Sequence, residues 1–199
     1  MGETSDSPKQ WWETVPGILA GVAAVITALG GLLALYIRSH PANSLDPATA
    51  PPREAIFLSD QAPSDIPSEP HGGLGRDKAY WTDRIVLNGR QIAKALVMHP
   101  NLGSPAVVGY GLTVPYSRFE AIVGLIEPRC LNRGSAEFKV LVDGDTRFTS
   151  GILRFGQQES VSVPLQSAKR LTLEVSDGGD GNECDQAAWT EPRLIPGGT

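Results

Sequence analysis

The residues best equipped for chemistry gather near the C-terminus, in Asp177-Gly178-Gly179-Asp180-Gly181-Asn182-Glu183-Cys184-Asp185. Four carboxylates stand there among three glycines, a set of hard oxygen donors on a segment able to turn tightly. Ca²⁺ takes such donors, which makes Asp177, Asp180 and Asp185 candidate calcium ligands. The spacing is not that of an EF-hand. The preferred reading is a turn in which Asp and Gly supply left-handed geometry and local caps. No other cofactor is indicated. Catalysis has little support: the chain has three histidines and no G-x-S-x-G, H-E-x-x-H or Walker pattern. No spacing pairs two carboxylates across a glycosidic bond. The expectation is a protein that is not an enzyme.

The elements that would position these residues read as strands. From Trp81 onward the apolar period is two. Ile85 and Leu87 lead into Asn88-Gly89, a hairpin signal, with Gln91 to Val97 as the return strand. Ala106 to Leu112 follows, and Phe119, Ala121, Val123 and Leu125 alternate with polar neighbours. Phe138, Val140 and Val142 stop at a second hairpin turn, Asp143-Gly144, and Thr146 to Ser150 returns. Further strands hold Val161 to Leu165, Leu171 to Val175 and Ala187 to Leu194, and an apolar island at Ala55 to Leu58 precedes them all. Many short strands with one apolar face predict an all-β sandwich of two sheets.

In an antiparallel sandwich every second connection emerges at the same end. The connections Met98–Pro105, Ile126–Ser135, Gly151–Gln158 and Asp177–Gln186 then share one end. Cys130 and Cys184, the two cysteines of the chain, lie in the second and fourth of these. A disulfide between them is expected, in an oxidising compartment. Closing so long a loop would stabilise the domain by about 4 kcal/mol on the chain-entropy model.

Upstream, Ile18 to Ile37 is a run of twenty residues without a charge. At 1.5 Å per residue it matches the roughly 30 Å hydrocarbon core of a bilayer. Trp11, Trp12 and Tyr36 flank it as interfacial rings would, and Pro16 suits a first helical turn. A cleaved signal peptide is the alternative, but the run is too long and its N-terminal flank is acidic. The expected organisation is a tail over 1–16, a transmembrane α-helix over 17–37, a Pro/Ala-rich linker over 38–53 and the sandwich over 54–199. Gly17 and Gly21 form a G-x-x-x-G that permits weak self-association, though small residues are common in membrane helices. The positive-inside rule is indecisive. The stalk and the cysteines place the domain outside the cell, on a single-pass protein of the cell membrane. With a net charge of −5 and no Lys/Arg-rich run, nucleic acid is not a partner.

The domain resembles the NPCBM family, a carbohydrate-binding module with a galactose-binding-like, jelly-roll β-sandwich. The resemblance is carried by Ile56-Phe57-Leu58-Ser59-Asp60, Leu87-Asn88-Gly89, and Lys94 to His99. It continues through Arg118 to Leu125 and Phe138 to Asp145. The segment Asp177 to Trp189 follows the family's D-G-G-D-G…D-H-A-D-W most closely, with Gln186 and Ala188 in place of its His and second Asp. The resemblance implies a glycan ligand bound without chemistry, with Trp81, His99 and Asp180 as candidate contacts. Trp81 is the candidate platform for a sugar ring, with edge packing as the equal alternative. His99 either meets a sugar hydroxyl or, as is commoner for a lone histidine, satisfies a backbone group. Tyr110 is a further aromatic, and Trp189 falls where the family packs its core. A second hypothesis keeps the fold as a protein-interaction or structural ectodomain without sugar binding. Titration of the intact, unreduced protein is expected to find no reactive thiol; two reactive cysteines would end the disulfide assignment.

Overall fold

A computed structural model describes residues 54–127 and 133–197 of the chain. The chain divides after Pro52, and the unit from Arg53 to Thr199 is the one considered below. The expected membrane helix, the linker and Cys130 lie outside the described residues, among which no helix is long and apolar enough to cross a membrane.

Thirteen strands follow one another: β1 Ile56–Phe57, β2 Asp65–Ser68, β3 Gly75–Arg76, β4 Ile85–Leu87, β5 Arg90–Ile92, β6 Ala95–Met98, β7 Ala106–Gly111, β8 Tyr116–Leu125, β9 Ser135–Val142, β10 Asp145–Arg154, β11 Gln158–Pro164, β12 Arg170–Asp177 and β13 Ala187–Pro196. One sheet runs β11-β8-β13-β6-β3, with β1 also paired to β13; a second runs β10-β9-β12-β7-β2, and β4 and β5 form a separate two-stranded hairpin. Every pairing is antiparallel. The fold is the expected β-sandwich.

The period of two decides what fills the space between the sheets. On β9, Phe138, Val140 and Val142 are buried inward, and Leu171, Leu173 and Val175 do the same on β12. Trp189 of β13 is fully buried at the centre. Its ring meets Phe138 of the opposite sheet edge-on at 5.3 Å and Phe119 of its own sheet at 6.1 Å, distances at which aromatic pairs attract. Tyr110 is buried in the same core, where burial pushes its hydroxyl pKa up.

Both predicted hairpin turns form, with positive φ at Asn88 and Gly89 and at Asp143 and Gly144, as tight two-residue turns require. The return strand over Gln91–Val97 does not run unbroken. It stops at Ile92 and resumes at Ala95 in a different sheet. Asp77 causes the break: its carboxylate accepts the Ala95 N–H and, at 2.9 Å, the Lys94 ammonium, which Asp60 holds from the other side. The β4–β5 hairpin is thereby freed to fold over the outer face of the first sheet. Ile85, Leu87 and Ile92 pack there on Ala95, Val97, Ile126 and Ala188 in a second, smaller core. The strand after Asp143-Gly144 is longer than expected, because Gly151 is absorbed as a bulge within β10.

β13 is the central element. Its first half pairs with β6 and its second half with β1, while β8 lines its other edge throughout. The exchange of partners falls at a bulge where Glu191 has φ 50° and donates its N–H to the Lys94 carbonyl. Replacing Trp189 with Ala is expected to lower unfolding free energy by about 3–5 kcal/mol; a urea midpoint unchanged from wild type would show that the two sheets do not depend on it.

Candidate functional site

The connections after β6, before β9, after β10 and after β12 meet at one end of the sandwich, as the strand parity requires. The third of them is only the turn Phe155–Gln157. Hydrogen bonds tie the connections together. Ser135, the first residue of β9, is the hub. Its N–H donates to Asp185 Oδ1 at 2.8 Å and its hydroxyl to Asp180 Oδ1 at 2.6 Å, while its carbonyl accepts the Gly178 N–H at 3.2 Å. Gly134 beside it has φ 105°, and a Cβ there would stand 2.4 Å from the Cys184 carbonyl oxygen, so only glycine allows the two segments to close.

Two depressions among the described residues lie on this surface. The first, of about 380 Å³, is lined by His71, Tyr80, His99, Asn182, Glu183, Cys184 and Gln186. Its floor is held from three loops. The His71 N–H donates to the His99 carbonyl at 2.8 Å, and Asn182 Nδ2 donates to the Pro100 carbonyl at 3.2 Å. His99 is buried, and its Nδ1 lies 2.9 Å from the same Pro100 carbonyl. A carbonyl only accepts, so Nδ1 carries the proton. Burial holds the imidazole pKa below its ordinary value, and the nearby His71 lowers it further. The neutral ring therefore presents Nε2 as an acceptor. The rings of His71 and His99 stand 5.2 Å apart.

The aromatic at this depression is Tyr80, 52% exposed. Its ring lies directly on Gly72, where a Cβ would come within 2.8 Å of it and φ is 79°. Trp81 meets Tyr80 edge-on at 4.5 Å but turns the other way, packing on the small core beneath the β4–β5 hairpin. Trp81 thus takes the edge-packing role, and the signal for Tyr80 was the adjacent glycine pair Gly72-Gly73, which lets an aromatic ring lie on backbone.

The second depression, of about 540 Å³, is lined by Arg133, Gly134, Arg154, Phe155, Asp180 and Glu183. Asp180 belongs here, apart from His99, and Glu183 lines both. Each candidate calcium ligand has its own partner. Asp177 caps the Gly179 N–H at 3.2 Å, Asp180 takes Ser135 Oγ and faces Arg154 at 3.8 Å, and Asp185 takes the Ser135 N–H. Among the described residues no three His, Cys, Asp or Glu side chains gather as a metal site. In this structure Asp177, Asp180 and Asp185 cap and brace the loop.

Loops at one end of the sandwich thus form a shallow depression lined by an aromatic and a few polar groups, the kind of cleft a small ligand occupies. Residues 54–195 match the NPCBM/NEW2 domain model, and the chain belongs to that family. A relative from Renibacterium salmoninarum, carrying the provisional name endo-alpha-N-acetylgalactosaminidase, is 28% identical over 149 residues; the match covers 73% of this chain and 10% of that protein. The chain thus spans a tenth of that relative's length. A CBM51 module from a GH95 protein of Clostridium perfringens, solved in complex with methyl-galactose, superposes with a TM-score of 0.64 at 25% identity. The superposition covers 71% of this chain and all of that one. The structure of the M60 catalytic domain with the CBM51-1 and CBM51-2 domains of ZmpB, also from Clostridium perfringens, matches at a TM-score of 0.60 and 31% identity. That match covers 72% of this chain and 15% of that one.

Asp185 gives the site a pH dependence. It is fully buried, Oδ2 has no hydrogen-bond partner, and burial raises its pKa to about 7, with Asp180 and Asp177 adding in the same direction. A carboxyl whose folded pKa lies above its unfolded value stabilises the fold fully below pH of about 4, and that contribution is lost as pH rises through about 7. Asp185→Asn, neutral at every pH and able to accept the Ser135 N–H, is expected to raise the urea midpoint at pH 8 and to leave it nearly unchanged at pH 4. A midpoint lowered equally at both values would show that ionisation of Asp185 is immaterial.

Proposed function

We propose that this chain is a non-catalytic glycan-binding module displayed outside the cell by a single-pass membrane anchor. The observation that carries the binding role is the first depression. Tyr80 offers an exposed ring face, and His71, His99, Asn182 and Glu183 offer polar groups around it. A sugar has an apolar face of C–H groups and a rim of hydroxyls, and this arrangement suits one terminal residue of it. Family membership and the likeness to a module solved with methyl-galactose support the same ligand class. Binding of this kind is weak and involves no bond making.

The anchor rests on the uncharged run Ile18–Ile37 and its aromatic flanks. The outward orientation rests on the proposed Cys130–Cys184 disulfide. The close approach of Gly134 to Cys184, four residues after Cys130, supports that pairing, and a disulfide requires an oxidising compartment.

The test is a glycan array probed with the fragment Glu54–Thr199, which contains both cores. We expect reproducible binding to a terminal sugar, reduced at least tenfold in Tyr80→Ala and in His99→Ala and retained in Trp81→Ala. A folded fragment that binds no glycan would favour a protein-interaction ectodomain instead.

A further inference from the structure

The second depression is not needed to bind one terminal sugar, yet it is built with the same care as the first. The Arg154–Gln157 turn that carries Phe155 is closed twice: the Gln157 N–H donates to the Arg154 carbonyl at 2.9 Å, and the Arg154 N–H donates to Gln157 Oε1 at 2.8 Å. Phe155 is half-buried, one side of its ring packed against the main core and the rest facing the depression. Asp180 is held by Ser135 Oγ, and Arg154 stands across from it with its side chain 68% exposed. A planar guanidinium and a carboxylate side by side offer donors and acceptors matched to neighbouring hydroxyls. Asp180 and Glu183 balance Arg133 and Arg154 in charge, so the lining favours a neutral ligand over an anionic one. Glu183 lines both depressions, which adjoin at that residue.

We infer that the module reads a glycan of at least two residues. The terminal sugar occupies the Tyr80–His99 depression, and the next neutral sugar lies over Phe155 against Arg154 and Asp180. The inference rests on the glycan-binding role proposed above and adds a second contact region to it. Because Phe155 is held against the core on its closed turn before the ligand arrives, little ordering opposes its contact. The second region raises affinity for the longer ligand and leaves affinity for a single sugar unchanged.

The experiment uses the full chain in a detergent without a sugar headgroup, titrated calorimetrically. The probes are methyl galactoside, N-acetylgalactosamine and N-acetylglucosamine, and disaccharides carrying each of them at the non-reducing end. We expect one disaccharide to bind about tenfold more tightly than its terminal monosaccharide. Phe155→Ala and Arg154→Ala should each remove that advantage, with the monosaccharide affinity retained as proof of folding. Tyr80→Ala should weaken both ligands together. If mono- and disaccharide bind equally, or if both variants keep the full disaccharide advantage, the second contact region is refuted and the one-sugar site stands. If no probe binds the wild-type chain, the glycan-binding role itself falls and this inference with it.

Discussion

Ser135 and Asp185 make the contact on which the binding end of this molecule depends. The two sheets are held by ladders and by a continuous apolar core, but loops have neither. Here the long connection before β13 is fastened to the start of β9 through three bonds to one residue, Ser135, taken at its N–H, its hydroxyl and its carbonyl. The price is a carboxyl group sealed from water with one oxygen unsatisfied. Burying a carboxylate without full pairing is unfavourable, and the fold tolerates it where it sets the position of Asp180, Asn182 and Glu183. Strain of this kind is usual where a surface must be held in one shape for a ligand.

That rigidity has a thermodynamic purpose. A sugar offers a few hydroxyls and a small apolar face, and each exchanges water for protein at little net gain. Such a ligand is retained only when the protein loses little freedom on binding. Tyr80 on the backbone of Gly72, His99 fixed through Pro100, and Phe155 on a doubly closed turn are all in place beforehand. The sandwich serves as a stiff mount: the core around Trp189 fixes where the strands end, and the strand ends fix where the loops begin.

Much of the mount was legible in the chain. Alternation identified the inward residues of β8, β9 and β12, and Asn88-Gly89 and Asp143-Gly144 announced turns because their left-handed geometry favours those residues. The break between β5 and β6 was not legible. It depends on Asp77 capturing Lys94 and the Ala95 N–H from seventeen and eighteen residues away, and a period-two pattern carries no trace of a distant carboxylate. Gly151 read as loop because a glycine inside a strand signals either an end or a bulge, and pairing with β9 decides between them. The end at which the four connections gather followed from strand parity, and His99 lies there. Which of two adjacent aromatics lines the depression did not: Tyr80 and Trp81 lie in irregular backbone, where no period tells inside from outside.

The position of β1 has a mechanical consequence. β13 starts with Ala187 at the end that carries both depressions and finishes at the far pole, and there Ile56 and Phe57 join it opposite Leu194 and Arg193. The polypeptide therefore enters the domain at the pole remote from both depressions. A tether pulling on residue 55 while a glycan holds the loops would load the molecule along its long strands. Hydrogen bonds between antiparallel strands lie across that axis and would share the load in shear. The weakest link in the chain of force would be the two-residue pairing of β1, far from the loops, so the grip would keep its shape under tension after the tethered end had begun to peel.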